Sequence, residues 1–260
     1  MRNAEPRMAR STAARYRARI ESPTIGNYTE HMAEQLSARP FQSKGERTRH
    51  RLKVGGLRVL ETVGYAELRI TDVCREADLS LGAFYVYFAD KKDLATAVLL
   101  EFGEDLYARG LKAASGKDAY DAILQTNRFF VSAYDANRGL VRCLVQLDDV
   151  VPEFQSRWRE IRYRWTRRIA ASIAKRSGTV SISEATRCQI AFALEGMVFH
   201  FLYDLFVREV PYLVGLTTDL EEVAELLSLL WYRAVYCANP HSSLTVHELL
   251  SLRAHARRDS

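Results

Sequence analysis

Apolar residues recur along this chain at steps of three and four, and nowhere do they alternate over a long stretch. That is the helical period and not the strand period. Leu52, Gly56, Val59, Leu60 and Val63 share one face of a segment that begins near residue 46 and closes at Gly64. Two short segments follow, over 71–77 and 80–88, and then longer ones over about 91–110, 118–137, 139–150, 153–177, 183–208 and 219–238. Prolines at 6, 23, 40, 152, 211 and 240 leave three long proline-free stretches, 41–151, 153–210 and 212–239, in which helices need not be broken. Gly64, Gly110, Gly116, Gly139, Gly178 and Gly215 lie near segment ends, where helices stop. The pattern predicts an all-α protein, with residues 1–44 as an irregular basic arm.

Only Asp78 and Leu79 separate the two short segments. Asp tolerates the left-handed backbone of a tight turn better than most residues with a side chain. Ser80 is a good N-cap for the second segment, and Asp90 for the long helix after it. Two short helices across a tight turn make a helix-turn-helix. Gly55 and Gly56 each cost about 1 kcal/mol inside the preceding helix. Either another helix approaches closely there or the helix breaks.

Composition narrows the class. With 48% apolar and 27% charged residues over 260 positions, the chain is an ordinary globular protein, not a collagen-like or disordered one. Cys74, Cys143, Cys188 and Cys237 lie far apart with no C-x-x-C, as reduced thiols in a cytosol do. The net charge of +5 hides an asymmetry: residues 1–58 carry a balance of +8 and the remainder −3. Basic clustering points to a polyanionic partner. Arg2, Arg7, Arg10, Arg15, Arg17 and Arg19 are not followed by an apolar run of signal-peptide length, and Pro6 and Pro23 interrupt a transit-peptide helix. The apolar stretch 190–207 is broken by Glu195, His200 and Asp204, so no membrane span is expected. Phosphate-cradling, zinc-protease and nucleophile-elbow motifs are missing, and His31, His50, His200, His241, His247 and His255 form no ligand pattern. The expectation is a cytoplasmic non-enzyme with no cofactor and no metal.

The segment 80–88 reads Ser-Leu-Gly-Ala-Phe-Tyr-Val-Tyr-Phe. On a helix Phe84 and Phe88 share one side with Leu79 before them. Leu81, Ala83, Tyr85 and Val86 are then left outward and Tyr87 lies toward an edge. Such residues suit a groove-reading surface: aliphatic groups touch thymine methyls and tyrosine hydroxyls reach phosphate. Lys91 and Lys92 occupy the first turn of the next helix, the wrong end of its dipole for cations. A phosphate bound there would resolve the conflict.

From about 46 to 102 the sequence closely resembles the DNA-binding domain of the tetracycline-repressor (TetR-type) family. The resemblance rests on Gly64-Tyr65, on the run from Thr71 to Ser80, on Gly82-Ala83-Phe84-Tyr85-Val86-Tyr87-Phe88, and on Lys91 and Leu94. It implies a recognition helix at 80–88 in the major groove, with Tyr85 and Tyr87 on the DNA and Lys91 on a phosphate. Phe84 and Phe88 match core positions. Asp78 stands where glycine is common, and Arg69 where Ser or Thr often caps the first short helix, so that cap is in doubt while a phosphate contact is gained. Leu81 and Val86 replace positions that are often polar, which shifts base recognition toward apolar contacts and DNA shape. The candidate DNA-contacting residues are Arg69, Thr71, Ser80, Leu81, Gly82, Ala83, Tyr85, Val86, Tyr87, Lys91 and Lys92.

The resemblance further implies a three-helix domain at 45–102, a larger helical ligand-binding and dimerisation domain at 103–240, and a tail at 241–260. It implies a homodimeric regulator, a repressor on a palindromic operator in double-stranded DNA, released by a small apolar effector. Phe129, Phe130, Tyr134, Leu144, Trp158, Trp165, Phe192, Phe199 and Tyr203 are candidates for the cavity lining, although aromatics at helical spacing more often form plain core. Ile190, Leu194, Met197, Phe201 and Leu205, with Leu220, Val223, Leu227, Leu230 and Ala234, form seams that the resemblance assigns to the subunit interface. In 153–177, Arg157, Arg159, Arg162, Arg164, Arg167, Arg168, Lys175 and Arg176 read as a solvated basic face opposite Trp158, Ile161, Trp165, Ile169 and Ile173. His200 and Asp204 read as an ion pair one turn apart, and Cys74 as a buried inert thiol. The arm at 1–44 is equally compatible with a minor-groove contact and with a solvated tail. Two rival readings remain open: a ligand-independent DNA-binding protein, and a helical enzyme or carrier with a vestigial helix-turn-helix.

Overall fold

A computed structural model describes residues 26–38, 40–176, 182–217 and 219–240, with the side chains of Lys175 and Arg176 left out. The arm before residue 26, Gly178, and the tail at 241–260 with its three histidines lie outside the described residues. The described residues hold eleven helices and no strand. The first five are α1 (Tyr28–Ala38), α2 (Lys44–Glu67), α3 (Ile70–Ala77), α4 (Leu81–Tyr87) and α5 (Lys91–Ala113). After them come α6 (Ala119–Ala136), α7 (Arg138–Val150), α8 (Pro152–Arg176), α9 (Glu184–Phe206), α10 (Pro211–Leu216) and α11 (Leu220–Tyr236).

Helices α2 to α4 and the start of α5 form the N-terminal head. Leu52, Leu57, Leu60, Phe84, Phe88, Leu94 and Leu99 are fully buried in it. The glycine pair in α2 is a close-approach site. A Cβ at Gly55 would lie 2.8 Å from the Val73 carbonyl oxygen, and one at Gly56 2.9 Å from a Leu94 methyl. Helix α2 is kinked at Gly64, whose φ of 82° lies in the left-handed region that glycine tolerates.

The body is built from α5 to α11. Helix α11 lies along α6, and α9 along α8. Helix α7 packs on α2 and fastens the head to the body. The Cys143 thiol meets the Leu60 carbonyl at 3.4 Å, and the Tyr65 N–H donates to Gln146 Oε1 at 3.0 Å.

Two helices depart from the sequence reading. The arm was expected to stay irregular to residue 44, yet α1 forms within it. The Asn27 side chain caps α1, its Oδ1 accepting from the Glu30 N–H at 3.0 Å, and its amide donates to Glu61 and to the Ala136 carbonyl. The Tyr28 N–H donates to Asn137 Oδ1 at 2.7 Å and the Tyr28 ring packs on Phe102. The helix therefore exists by docking across the junction of head and body. The short α10 starts at Pro211, and α8 at Pro152. Both prolines sit at the first helical position, where the missing N–H costs nothing.

Candidate nucleic-acid interface and ligand cavity

The turn between α3 and α4 is built as its residues dictate. Asp78 adopts φ 50° and ψ 55°, the left-handed region, and its N–H caps the end of α3. The Arg51 guanidinium donates to the carbonyls of Ala77 and Asp78, at 2.6 and 3.0 Å, and to the Asp78 carboxylate at 3.2 Å. The Ser80 side chain accepts from the Ala83 N–H, and Asp90 from the Asp93 N–H. Arg69 stands at the N-cap of α3 and makes no side-chain cap, leaving its guanidinium outward.

Helix α4 plants Phe84 in the core and turns the opposite face to solvent. Val86 is 74% exposed, Tyr85 55% and Leu81 45%. Thr71, Ser80, Gly82 and Lys92 are exposed too, while Ala83, Tyr87 and Lys91 are half-buried. The Tyr87 hydroxyl lies against Gly45, and the Arg49 guanidinium stands 5.1 Å over the Phe88 ring. Lys91 does not stand free. Its ammonium donates to the carbonyls of Ala66 and Leu68 at 3.1 and 3.3 Å and lies over the Tyr65 ring. An ammonium has three donors, so one remains. Lys92 faces Glu153 at 3.8 Å, both well exposed. Lys44, Arg47 and Arg49 at the start of α2 are exposed beside α4. The clustering of charge before residue 59 was the signal for them, but their place next to α4 needs the fold.

A cavity of about 220 Å³ opens in the body between α5, α6, α8, α9 and α11. Of the nine residues expected to line it, Phe130, Tyr134, Trp165 and Phe199 do, joined by Tyr107, Trp231 and Tyr236. The other five are elsewhere. Phe129 and Leu144 are core, and Trp158 is stacked between Phe154 and Tyr107. Phe192 is 56% exposed beneath Arg162, and Tyr203 stacks on Phe199 with Arg208 above it. Helical spacing told which residues are aromatic on a face. It did not tell which helices surround a space.

Glu195 also borders the cavity and is buried. Its Oε1 accepts from Tyr107 at 3.2 Å and from Arg162 at 3.3 Å, and its Oε2 from Thr166 at 2.9 Å. Arg162 was placed on the solvated face of α8 by its sequence neighbours; it turns inward because Glu195 needs a counter-charge. Burial opposes its charge, but Glu195 outweighs that and holds its pKa above the ordinary value. Burial, with the charge of Glu195 second, pushes the Tyr107 and Tyr134 hydroxyls well up, so both are neutral donors. The expected His200–Asp204 pair does not form: Asp204 binds Arg208 at 3.2 Å and His200 packs edge-on to Phe199. Burial raises the Cys74 pKa, which keeps it a thiol.

Five of the expected interface residues, Leu194, Leu205, Leu220, Val223 and Leu227, are buried within the chain's own core. The apolar seam of each helix is claimed first by its intramolecular neighbour, α11 by α6 and α9 by α8. Ile190, Met197 and Phe201 are half-buried, and Leu230 and Ala234 are exposed. Among the described residues no group of His, Cys, Asp or Glu is arranged to hold a metal, and no helix is long and apolar enough to cross a membrane.

Residues 54–98, which span most of α2, all of α3 and α4 and the start of α5, match the family model of bacterial regulatory proteins of the tetR family. The head of this chain is therefore similar to that of bacterial regulatory proteins of the tetR family. It is 25% identical over 227 residues to the HTH-type transcriptional regulator EthR of Mycolicibacterium smegmatis, covering 84% of this chain and 98% of the relative. Solved TetR-type structures share the fold. A tetR-family regulatory protein from Rhodococcus RHA1 superposes with a TM-score of 0.58 at 22% identity, over 76% of this chain and all of that one. The fatty acid degradation regulator FadR from Bacillus halodurans does so with a TM-score of 0.59 at 12% identity, over 74% and 96%. At such identities the likeness carries the architecture alone.

Proposed function

We propose that this protein is a TetR-family regulator that represses transcription by binding a palindromic operator as a homodimer, and that a small, mostly apolar molecule in the cavity releases it. Support comes chiefly from α5. Its first turn carries Lys91 and Lys92 beside α4, and its last turns carry Tyr107 and Leu111 at the cavity. One helix thus joins the reading head to the ligand site. A ligand that prefers one placement of α5 shifts the spacing of two heads related by a twofold axis, in proportion to its differential affinity for the two states.

On the DNA, Leu81, Tyr85 and Val86 face the groove, with Ser80, Gly82, Ala83 and Tyr87 along the same helix. Arg69, Thr71, Lys91 and Lys92 lie along the phosphates, joined by Lys44, Arg47 and Arg49. A gel shift on the DNA upstream of the protein's own gene is expected to show a discrete complex, and its absence at low ionic strength overturns the reading. In Lys91→Ala, affinity is expected to drop by a similar factor on every sequence, with the slope against log salt reduced by about one. An unchanged slope removes the phosphate role and leaves Lys91 as the cap on α2.

The homodimer is assigned to the outward faces of α9 and α11, around Phe192, Met197, Leu230 and Ala234. Phe192, Leu230 and Ala234 are apolar positions that the chain's own core leaves exposed, with half-buried Met197 beside them. Phe192→Glu combined with Leu230→Glu is expected to halve the mass seen in sedimentation while leaving the helical content intact.

A further inference from the structure

The cavity wall is mostly aromatic and aliphatic, with polar groups on Thr126, Asn127, Arg168, Ser172 and Glu195 and at the tips of its tyrosines and tryptophans. Thr126 donates to the Ala122 carbonyl of its own helix. The Asn127 amide donates to Ser228 Oγ, whose proton is committed to the Ala224 carbonyl. Arg168 is exposed and stands in water at the mouth, where an ion pair is screened and selects weakly.

A well-buried polar corner is formed by Tyr134 and Glu195. Tyr134 lines the cavity and is 7% exposed, and its hydroxyl is not among the sealed, unpartnered polar atoms of the described residues, so it opens to the cavity space. Glu195, 8% exposed, lines the same cavity. A carboxylate has about four acceptor sites. Two donors occupy Oε1 of Glu195, but only Thr166 reaches Oε2. The Tyr134 hydroxyl and the spare acceptor site on Glu195 therefore border the same cavity. Buried polar groups are normally paired, and leaving one unpaired costs about 1–3 kcal/mol.

We propose that the cavity takes an uncharged aromatic molecule of one or two fused rings carrying a single hydroxyl, which accepts from Tyr134 and donates to Glu195. The size follows from the volume. An apolar cavity of about 150 Å³ holds benzene, so 220 Å³ has space for a second ring. The charge follows from Arg162 and Glu195, which already neutralise each other. An anion would be buried against Glu195 and a cation against Arg162, with no counter-charge left for either. Seven aromatic side chains supply flat walls for stacking.

The inference rests on reading the cavity as the effector site, and its test separates the two. Isothermal titration calorimetry on the full chain compares 2-naphthol, 2-methylnaphthalene and 2-naphthoate. The methyl compound matches naphthol in shape and is the more apolar, so shape and hydrophobicity alone favour it. With two hydrogen bonds in play, naphthol is expected to bind at least about fivefold tighter than methylnaphthalene, and naphthoate weakest. Tyr134→Phe, which keeps the ring and the packing, is expected to abolish or reverse that preference without changing the affinity for methylnaphthalene. Gly110→Ala, whose Cβ would lie 2.8 Å from the Phe130 ring, is expected to weaken both neutral probes. A preference for methylnaphthalene or naphthoate in the unaltered protein overturns the proposal. So does an unchanged preference in Tyr134→Phe, and so does failure of all three probes to bind. Operator release is read separately by gel shift. Selective naphthol binding without release keeps the ligand assignment and removes the release mechanism, whereas release by naphthoate does the reverse.

Discussion

Replacing Val86 with Glu is expected to lower operator affinity by about 100-fold or more while leaving the melting temperature within about 2 °C of the parent. Val86 is 74% exposed on α4, opposite the fully buried Phe84. Its side chain therefore contributes little to the head's own stability, and exposed substitutions of this kind stay within about 0.5 kcal/mol. The position nevertheless lies at the centre of the face assigned to the groove. A lost base-edge contact costs about 1–3 kcal/mol, and a twofold complex loses it twice. The new carboxylate also faces phosphates at both half-sites, which adds repulsion at low salt. Fluorescence anisotropy with a labelled operator measures the affinity, and a thermal melt measures stability. A melt that falls together with affinity would mean that Val86 supports the fold. An unchanged affinity would move the reading surface off this face of α4.

The head was largely legible in the sequence because its signals are local. Asp78 at a left-handed turn, Ser80 and Asp90 as caps, and Phe84 and Phe88 on one side each act within a few residues of themselves, and the backbone follows them. Helix α1 was missed although Asn27 followed by Glu30 is a capping pair. Its apolar residues are few, and it is held by Asn137 and Glu61, more than thirty residues away. The cavity was half legible for a related reason. Phe130 and Trp165 were in reach of helical spacing, but Tyr107 and Trp231 come from helices at the two ends of the body, which only the packing of α5, α6 and α11 brings together. Five of the ten seam residues lie in the chain's own core, because a stripe of leucines reports burial without reporting by what. In Leu194 and Leu227 the burying partner is the chain itself.

Gly139 shows the same limit at one residue and leads to the largest effect expected on stability. From its place at the start of α7 it reads as a helix-boundary glycine. In the fold it is a contact between two backbones. A Cβ there would run into the Glu61 carbonyl oxygen and lie 2.7 Å from the Glu61 Cα. No side chain can swing aside, so α7 must move off α2. Three contacts share that seam: the Cys143 thiol on the Leu60 carbonyl, the Tyr65 N–H on Gln146, and Arg142 on the Glu61 carbonyl. Overpacking of this kind costs about 1–3 kcal/mol, and a backbone-to-backbone clash belongs at the upper end. Gly139→Ala is therefore expected to lose about 2–3 kcal/mol in urea unfolding. At roughly 2–4 °C per kcal/mol for a chain of this size, the melt should fall by about 5–10 °C. Gly215→Ala is the control, because nothing stands within 4 Å of its Cβ position in α10. It should be neutral or slightly stabilising, as Gly to Ala is in an unstrained helix. Because α2 belongs to the head and α7 to the body, Gly139→Ala should also weaken operator binding although it lies away from α4. Equal stability of the two variants would mean that the α2–α7 seam does not hold the head in place.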